Sequence, residues 1–283
     1  MTSACQCIRI SIVKRGAGMQ TGTTRIASDG AELQVNWSGD GPMLLMIPGG
    51  GGTGARYAAV AGHLADTHRV VWYDRRCSGA STGDRDAFGD MAQQARDAAA
   101  LIAALGDGRA DVFGNSSGAS IALKLAEDHP QAINRVIVHE PPVLPLLDDG
   151  AAWIAYSDKV VAAFASIGAM PAMGMFLSEI KGHSGPPPGP RPAPQDMVFF
   201  LTRELPVFCR YAPDLDRLRA NGVAMVTAAG RDSADAYYAR TARLLAQTLP
   251  CGYHEFAGHH FSFGDAPETY ARDIRAALAL AGA

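Results

Sequence analysis

The chain has 283 residues, 48% of them hydrophobic, which suits one large α/β domain with an insertion. Its 25 basic and 28 acidic residues give a net charge of −3 without a run of five like charges, so there is no basic face for nucleic acid. No apolar stretch approaches the roughly 18 residues that span a bilayer, and five scattered cysteines read as free thiols of a reducing compartment, so a cytoplasmic protein is expected.

Residues 1–18 carry Arg9, Lys14 and Arg15 but no long apolar run, which makes a poor secretory signal. Cys5 and Cys7 are too close together for a zinc knuckle, and no metal is expected. This stretch is expected to lie outside the fold, and 1–21 is read as an N-terminal extension, open to disorder. Residues 23–27 and 32–37 read as strands joined through the turn pair Asp29-Gly30. The apolar run 43–47 stops at Pro48 and four glycines, and 69–73 is a second such run. Both suit strands buried on two faces. Residues 110–113, 135–139, 223–228 and 252–256 repeat the theme.

Helices alternate with these strands. Residues 91–105 lie between Asp90, a good N-cap, and Gly106, a good C-terminal stop. Residues 117–128 carry Ile121, Ala122, Leu125 and Ala126 at helical spacing and end before Pro130. Residues 233–248 and 266–280 complete the set. Alternation of this kind implies parallel strands with crossover helices on both faces, an α/β fold of eight mostly parallel strands. The core domain is assigned to 22–140 and 221–283. Between them, 141–220 holds two expected helices, 151–167 and 195–210, and a Gly- and Pro-rich loop at 182–192. It reads as a helical cap.

Gly114-Asn115-Ser116-Ser117-Gly118 fits G-x-S-x-G, and it follows a strand and opens a helix, the setting that gives the motif meaning. The sharp turn holds the central hydroxyl out at the carboxyl end of the sheet, where ligands bind in open α/β sheets. Ser116 is therefore the candidate nucleophile, and the Ser117 amide a candidate oxyanion donor. In the glycine run 49–54 after the first apolar strand, Gly50 is the candidate second donor. The Lys and Ser/Thr of a phosphate loop are absent. A dinucleotide reading of Gly49, Gly51 and Gly54 with Asp74 leaves the serine elbow unexplained.

A serine hydroxyl needs a base to take its proton. Of eight histidines, His259 and His260 follow the last strand in a loop at the catalytic edge. The base needs an orienting acid. Asp232, which follows strand 223–228 at the same edge, is the first candidate, with Glu140 and Asp235 as alternatives.

With Ile47-Pro48-Gly49-Gly50, the segment from Tyr73 to Ser81, the serine elbow and Phe256-Ala257-Gly258-His259-His260, the chain resembles the α/β-hydrolase superfamily over nearly all of residues 22–281. The resemblance implies a triad in the order Ser116, Asp232, His260, a lidded core and no cofactor. The family's closing loop commonly reads Pro-Gly-x-His, which aligns His260 with the base. Two departures stand out: the family often has His-Gly where this chain has Pro48-Gly49, and Asp232 lies two rather than three residues after Gly230.

The expected activity is hydrolysis of an ester, lactone or thioester of a small to mid-sized, partly apolar molecule. Met170, Met173, Met175, Phe176, Phe199 and Phe200 of the cap are candidates for a pocket lining or for buried helix faces. The same triad would serve C–C hydrolysis, perhydrolysis or a lyase step, and a non-catalytic small-molecule binder would keep the pocket.

Overall fold

A computed structural model describes residues 11–15, 19–86, 90–189 and 193–282. Cys5, Cys7 and Arg9, and the end of the Pro-rich run at 190–192, lie outside them. Nine strands form one sheet: β1 Ser11–Arg15, β2 Met19–Ser28, β3 Ala31–Ser38, β4 Met43–Ile47, β5 Arg69–Tyr73, β6 Ala110–Asn115, β7 Ile133–His139, β8 Ala224–Gly230 and β9 Gly252–Phe256. Their order is β1-β2-β3-β5-β4-β6-β7-β8-β9. The first three run antiparallel and the other six are mutually parallel, with β3 antiparallel to β5.

The eight expected strands are joined by a ninth. Segment β1, expected outside the fold, pairs with β2 from Ser11↔Thr23 to Arg15↔Met19. Strand β2 begins four residues earlier than its apolar pattern suggests, and that extension is the edge on which β1 pairs.

Why the sheet forms is clearest at β4. All five of its residues are buried. Met43, Leu45 and Ile47 face one core cluster and Leu44 and Met46 the other, as the two-residue period of a strand requires. Helices α2 (Met91–Leu105) and α3 (Ser117–Asp128) cover the first face. Helices α1 (Ala58–Leu64), α9 (Tyr237–Thr248) and α11 (Pro267–Ala281) cover the second. The Asp90 side chain accepts from the Gln93 N–H and so caps α2 as its position implies. Helix α9 begins at Tyr237, later than expected, because 231–236 is taken up by a 3₁₀ turn and a bend.

Between β7 and β8 lies an all-helical stretch: α4 Gly150–Ile167, α5 Ala169–Leu177, α6 Pro194–Phe199, α7 Leu205–Arg210 and α8 Leu215–Asn221. Its own small core holds Leu144, Val160, Ala172, Phe200, Leu201 and Leu205. Helix α5 was not expected from the sequence; its Pro171 sits in the first turn, where the missing N–H has no helical partner to lose. The expected helix 195–210 is interrupted by a π turn at Phe200–Glu204, where the Leu205 N–H reaches back five residues to the Phe200 carbonyl. Pro206 supplies the reason: without an N–H it cannot continue the regular ladder. A four-residue helix α10, Ser262–Asp265, links the loop after β9 to α11.

Candidate active site

Ser116 sits between β6 and α3 at φ 58°, ψ −131°, a backbone region that non-glycine residues rarely occupy. The turn is held from both sides: its N–H donates to the His139 carbonyl at 2.9 Å, and its own carbonyl accepts from Ala119 at 2.8 Å. The flanking glycines permit the approach. A Cβ on Gly118 would stand 2.2 Å from the Ile47 oxygen, and one on Gly114 would stand 2.3 Å from the Gly118 oxygen. The strained serine is thus locked by packing on β4 and β7.

The register of β6 and β7 fixes the rest. Asn115 is level with His139, so Ser116 and Glu140 leave neighbouring strands at the same height. Glu140 is also in the left-handed region, at φ 52°, and is wholly buried. Its Oε1 accepts the Gly230 N–H at 2.8 Å and its Oε2 lies 2.6 Å from His260 Nδ1. His260 is itself buried, packed against the Tyr238 ring at 4.5 Å. Burial pushes the Glu140 carboxyl up, but the two imidazoles, His139 by its charge interaction and His260 by its hydrogen bond, hold it below its ordinary value.

The carboxylate on His260 is therefore that of Glu140, the expected alternative, and not that of Asp232. Asp232 is exposed, two residues beyond the end of β8, and its backbone N–H is engaged with the Gly258 carbonyl at 2.7 Å. Asp235 is also exposed, in the bend before α9. The missed signal was positional: Glu140 directly follows the strand adjacent to the elbow strand, whereas Asp232 is one strand further away.

Beneath the site, His139 is fully buried, with Nδ1 2.9 Å from Asn115 Nδ2 and 3.3 Å from the Tyr270 hydroxyl. Burial pushes its pKa down to about 4, so at neutral pH it is a neutral acceptor for the Asn115 amide.

Ser116, Ser117, Gly50 and His260 all line one cavity of about 790 Å³ under the cap, within the range of small-molecule sites. No hydrogen bond joins the Ser116 hydroxyl to the imidazole among the described contacts. Catalytic contacts of this kind commonly tighten only with substrate in place. Of the apolar cap residues singled out in the sequence, Met170, Met173, Phe176 and Phe200 line this cavity.

The glycine loop is held by a buried ion pair that sequence reasoning missed. Arg75 Nη1 lies 2.6 Å from Glu204 Oε1, and neither side chain reaches solvent. Arg75 also donates from Nε to the Pro48 carbonyl and from Nη2 to the Gly49 carbonyl, both at 3.0 Å. Glu204, in the π turn of the cap, accepts the Gly51 N–H at 3.2 Å. Gly50 stands between these fixed points, and its N–H, like that of Ser117, has no partner among the described hydrogen bonds. Asp74, the acid of the dinucleotide alternative, is used internally: it accepts the N–H groups of Gly54 and Ala80, each at 2.9 Å.

Next to His183, which lines the cavity, Asp265 Oδ2 lies 3.4 Å from His183 Nδ1 and 3.2 Å from His259 Nε2. These three side chains are spaced closely enough to hold a metal ion. The Phe261 N–H, however, donates to His259 Nδ1, which puts that ring's proton on Nε2. His259 is thereby arranged to donate to Asp265, and the group ties the Gly- and Pro-rich run to the loop carrying His260.

Among the described residues no helix is long and apolar enough to cross a membrane. A family model described as the alpha/beta hydrolase fold matches residues 42–188. An uncharacterized hydrolase of Bacillus subtilis (strain 168) is 27% identical over 250 residues, 83% of this chain and 88% of its own. An alpha/beta hydrolase from Sphaerobacter thermophilus DSM 20745 superposes with a TM-score of 0.63 at 27% identity, over 82% of this chain and 91% of its own. A thermophilic esterase from Thermogutta terrifontis superposes with a TM-score of 0.73 at 18% identity, over 92% and 99%, a likeness of fold. With its serine elbow, its parallel sheet and this match, the chain belongs to the α/β-hydrolase fold family.

Proposed function

We propose that the protein is a serine hydrolase that cleaves an ester-type bond, in a carboxylic ester, lactone or thioester, through an acyl-enzyme. The observation that carries this reading is the 2.6 Å contact between Glu140 and Nδ1 of His260, whose imidazole faces the same cavity as the strained Ser116. With Nδ1–H held by the carboxylate, Nε2 is left as the basic nitrogen.

In this mechanism the Ser116 Oγ attacks the substrate carbonyl carbon and its proton passes to His260 Nε2. The imidazolium so formed is stabilised by the Glu140 carboxylate. The carbonyl oxygen becomes an oxyanion facing the amides of Ser117 and Gly50, each such donor being worth about 10²–10³ in turnover. The imidazolium then protonates the departing oxygen or sulfur. Water gives its proton to His260 Nε2 and attacks the acyl carbon, the bond from that carbon to Ser116 Oγ breaks, and the imidazolium returns the proton to Oγ as the carboxylic acid leaves.

The cavity's size and its Met and Phe lining suit a mid-sized, partly apolar acyl group. The test is Ser116→Ala. The variant should lose p-nitrophenyl ester turnover and the mass adduct that a fluorophosphonate leaves on the wild-type protein. A variant with full activity would refute the mechanism.

A further inference from the structure

Resting on that reading, we infer that the natural substrate carries a carboxylate, and that Arg56 is the residue that selects it. Arg56 follows the glycine loop in a short 3₁₀ turn, Gly54–Tyr57, and lines the cavity that holds Ser116. Its Nε donates to the Thr53 carbonyl at 3.2 Å, which fixes the plane of the guanidinium. The two terminal nitrogens have no carboxylate partner: no ion pair of Arg56 occurs among the described residues, and the remaining residues, 1–10, 16–18, 87–89, 190–192 and 283, contain no Asp or Glu.

The surrounding acids are otherwise engaged. Glu204 is paired with Arg75, Asp196 with Arg85 at 2.6 Å, and Asp74 with two backbone amides. The Gly- and Pro-rich run roofs the residue, since a Cβ on Gly189 would stand 3.5 Å from Arg56 Cβ. Arg56 is half-buried, and partial desolvation pushes its pKa below its ordinary value, with the neighbouring Arg75 charge acting in the same direction. An anion brought alongside would supply what is missing.

The position sets where that anion sits. The Arg56 Nη2 lies 3.8 Å from the point where a Gly51 Cβ would stand, and a Gly49 Cβ would be 3.6 Å from Ser116 Oγ. The Cα atoms of Gly49 and Gly51 are at most about 7 Å apart. Ser116 and Arg56 therefore flank the same glycine loop, and the carboxylate would lie along that loop from the attacked carbonyl. A single guanidinium matches a monoanion, and its planar fork matches a carboxylate in two parallel hydrogen bonds.

The test compares mono-p-nitrophenyl adipate with p-nitrophenyl hexanoate, esters of equal acyl length with and without the terminal carboxylate. Wild-type protein should favour the adipate at least tenfold in kcat/KM at low ionic strength, and that preference should shrink as salt is added. Arg56→Gln should lower the adipate-to-hexanoate ratio by about 10–100-fold, chiefly through KM, and Arg56→Lys should restore part of it. Calorimetric binding of free adipate to Ser116→Ala protein, with and without Arg56→Gln, gives a readout that needs no turnover. At least tenfold tighter binding with Arg56 present is expected. An inactive protein that still binds adipate through Arg56 would sink the hydrolase reading alone. A wild-type preference for the neutral ester, or adipate binding unaffected by Arg56→Gln, would overturn the present inference.

Discussion

Replacing Glu140 by glutamine exchanges one oxygen for an NH₂ group and leaves the volume of the buried site untouched. The remaining side-chain oxygen can still accept the Gly230 N–H, which Glu140 Oε1 holds at 2.8 Å, so the turn after β8 keeps its anchor. The change falls on the other atom. Where Oε2 now accepts from His260 Nδ1 at 2.6 Å, an amide NH₂ would donate instead. The imidazole must then carry its lone pair on Nδ1 and its proton on Nε2, and in that tautomer it cannot take the Ser116 proton. In serine proteases the equivalent acid-to-amide change lowers turnover by about 10⁴, which is about 5 kcal/mol of transition-state stabilisation at 1.36 kcal/mol per factor of ten. A loss of about 10³–10⁴ in kcat for a p-nitrophenyl ester is expected of Glu140→Gln. Asp232→Asn, made at an exposed carboxylate, should stay within about threefold of wild type. Thermal melts of both variants exclude unfolding as the cause. If Asp232→Asn collapses while Glu140→Gln retains most of its rate, the acid assignment and the register argument behind it are refuted.

Two further expectations concern stability. His139 has a folded pKa of about 4 against roughly 6.5 unfolded, so the unfolded chain binds the proton first and stability falls as pH drops from about 6.5 towards 4, by up to about 3 kcal/mol. In urea titrations between pH 7 and 4.5, His139→Gln should show a shallower decline than wild type, and parallel curves would contradict this. Glu204→Ala leaves Arg75 charged and buried with no counter-ion and frees the Gly51 N–H, so it should cost about 3–5 kcal/mol in urea unfolding. A cost below about 1 kcal/mol would mean that the pair does not hold the glycine loop in place.

The parts of this molecule that were legible in its sequence are those where one local rule suffices. Strands β4 and β5 and helices α2 and α3 match their expected bounds because continuous apolar runs, an Asp N-cap and Gly or Pro stops act within a few residues of the element they define. The elbow was legible for the same reason, since two glycines around Ser116 encode a close approach that nothing else there requires. The acid was not. Asp232 and Glu140 both follow parallel strands at the same sheet edge, and the choice between them depends on which strand lies beside β6, a fact of sheet order with no local signature. Strand β1 was missed because it is only five residues long and its pairing on the edge of β2 is a fact of sheet order with no local signature. Arg75 and Glu204 were missed because they stand far apart in the chain and their pairing needs the cap to be seated.

That pairing also bears on how the cap and the chemistry are related. A helical insertion resting only on apolar contacts would adjust by small slides, leaving the catalytic loops indifferent to it. Here one carboxylate of the cap reaches the glycine loop directly, and the Arg75 guanidinium that binds it also holds the carbonyls of Pro48 and Gly49. The Gly50 amide can point at a developing oxyanion only while its neighbours on both sides are fixed. One neighbour is fixed by the core residue Arg75 and the other by the cap residue Glu204. The π turn places that carboxylate: Pro206 breaks the ladder, the helix takes one residue more in that turn, and Glu204 is carried inward at its end. With Gly50 as the proposed oxyanion donor, cap docking and the geometry of that donor are one structural state, and a variant that loosens the cap should lose turnover even if its cavity lining is intact.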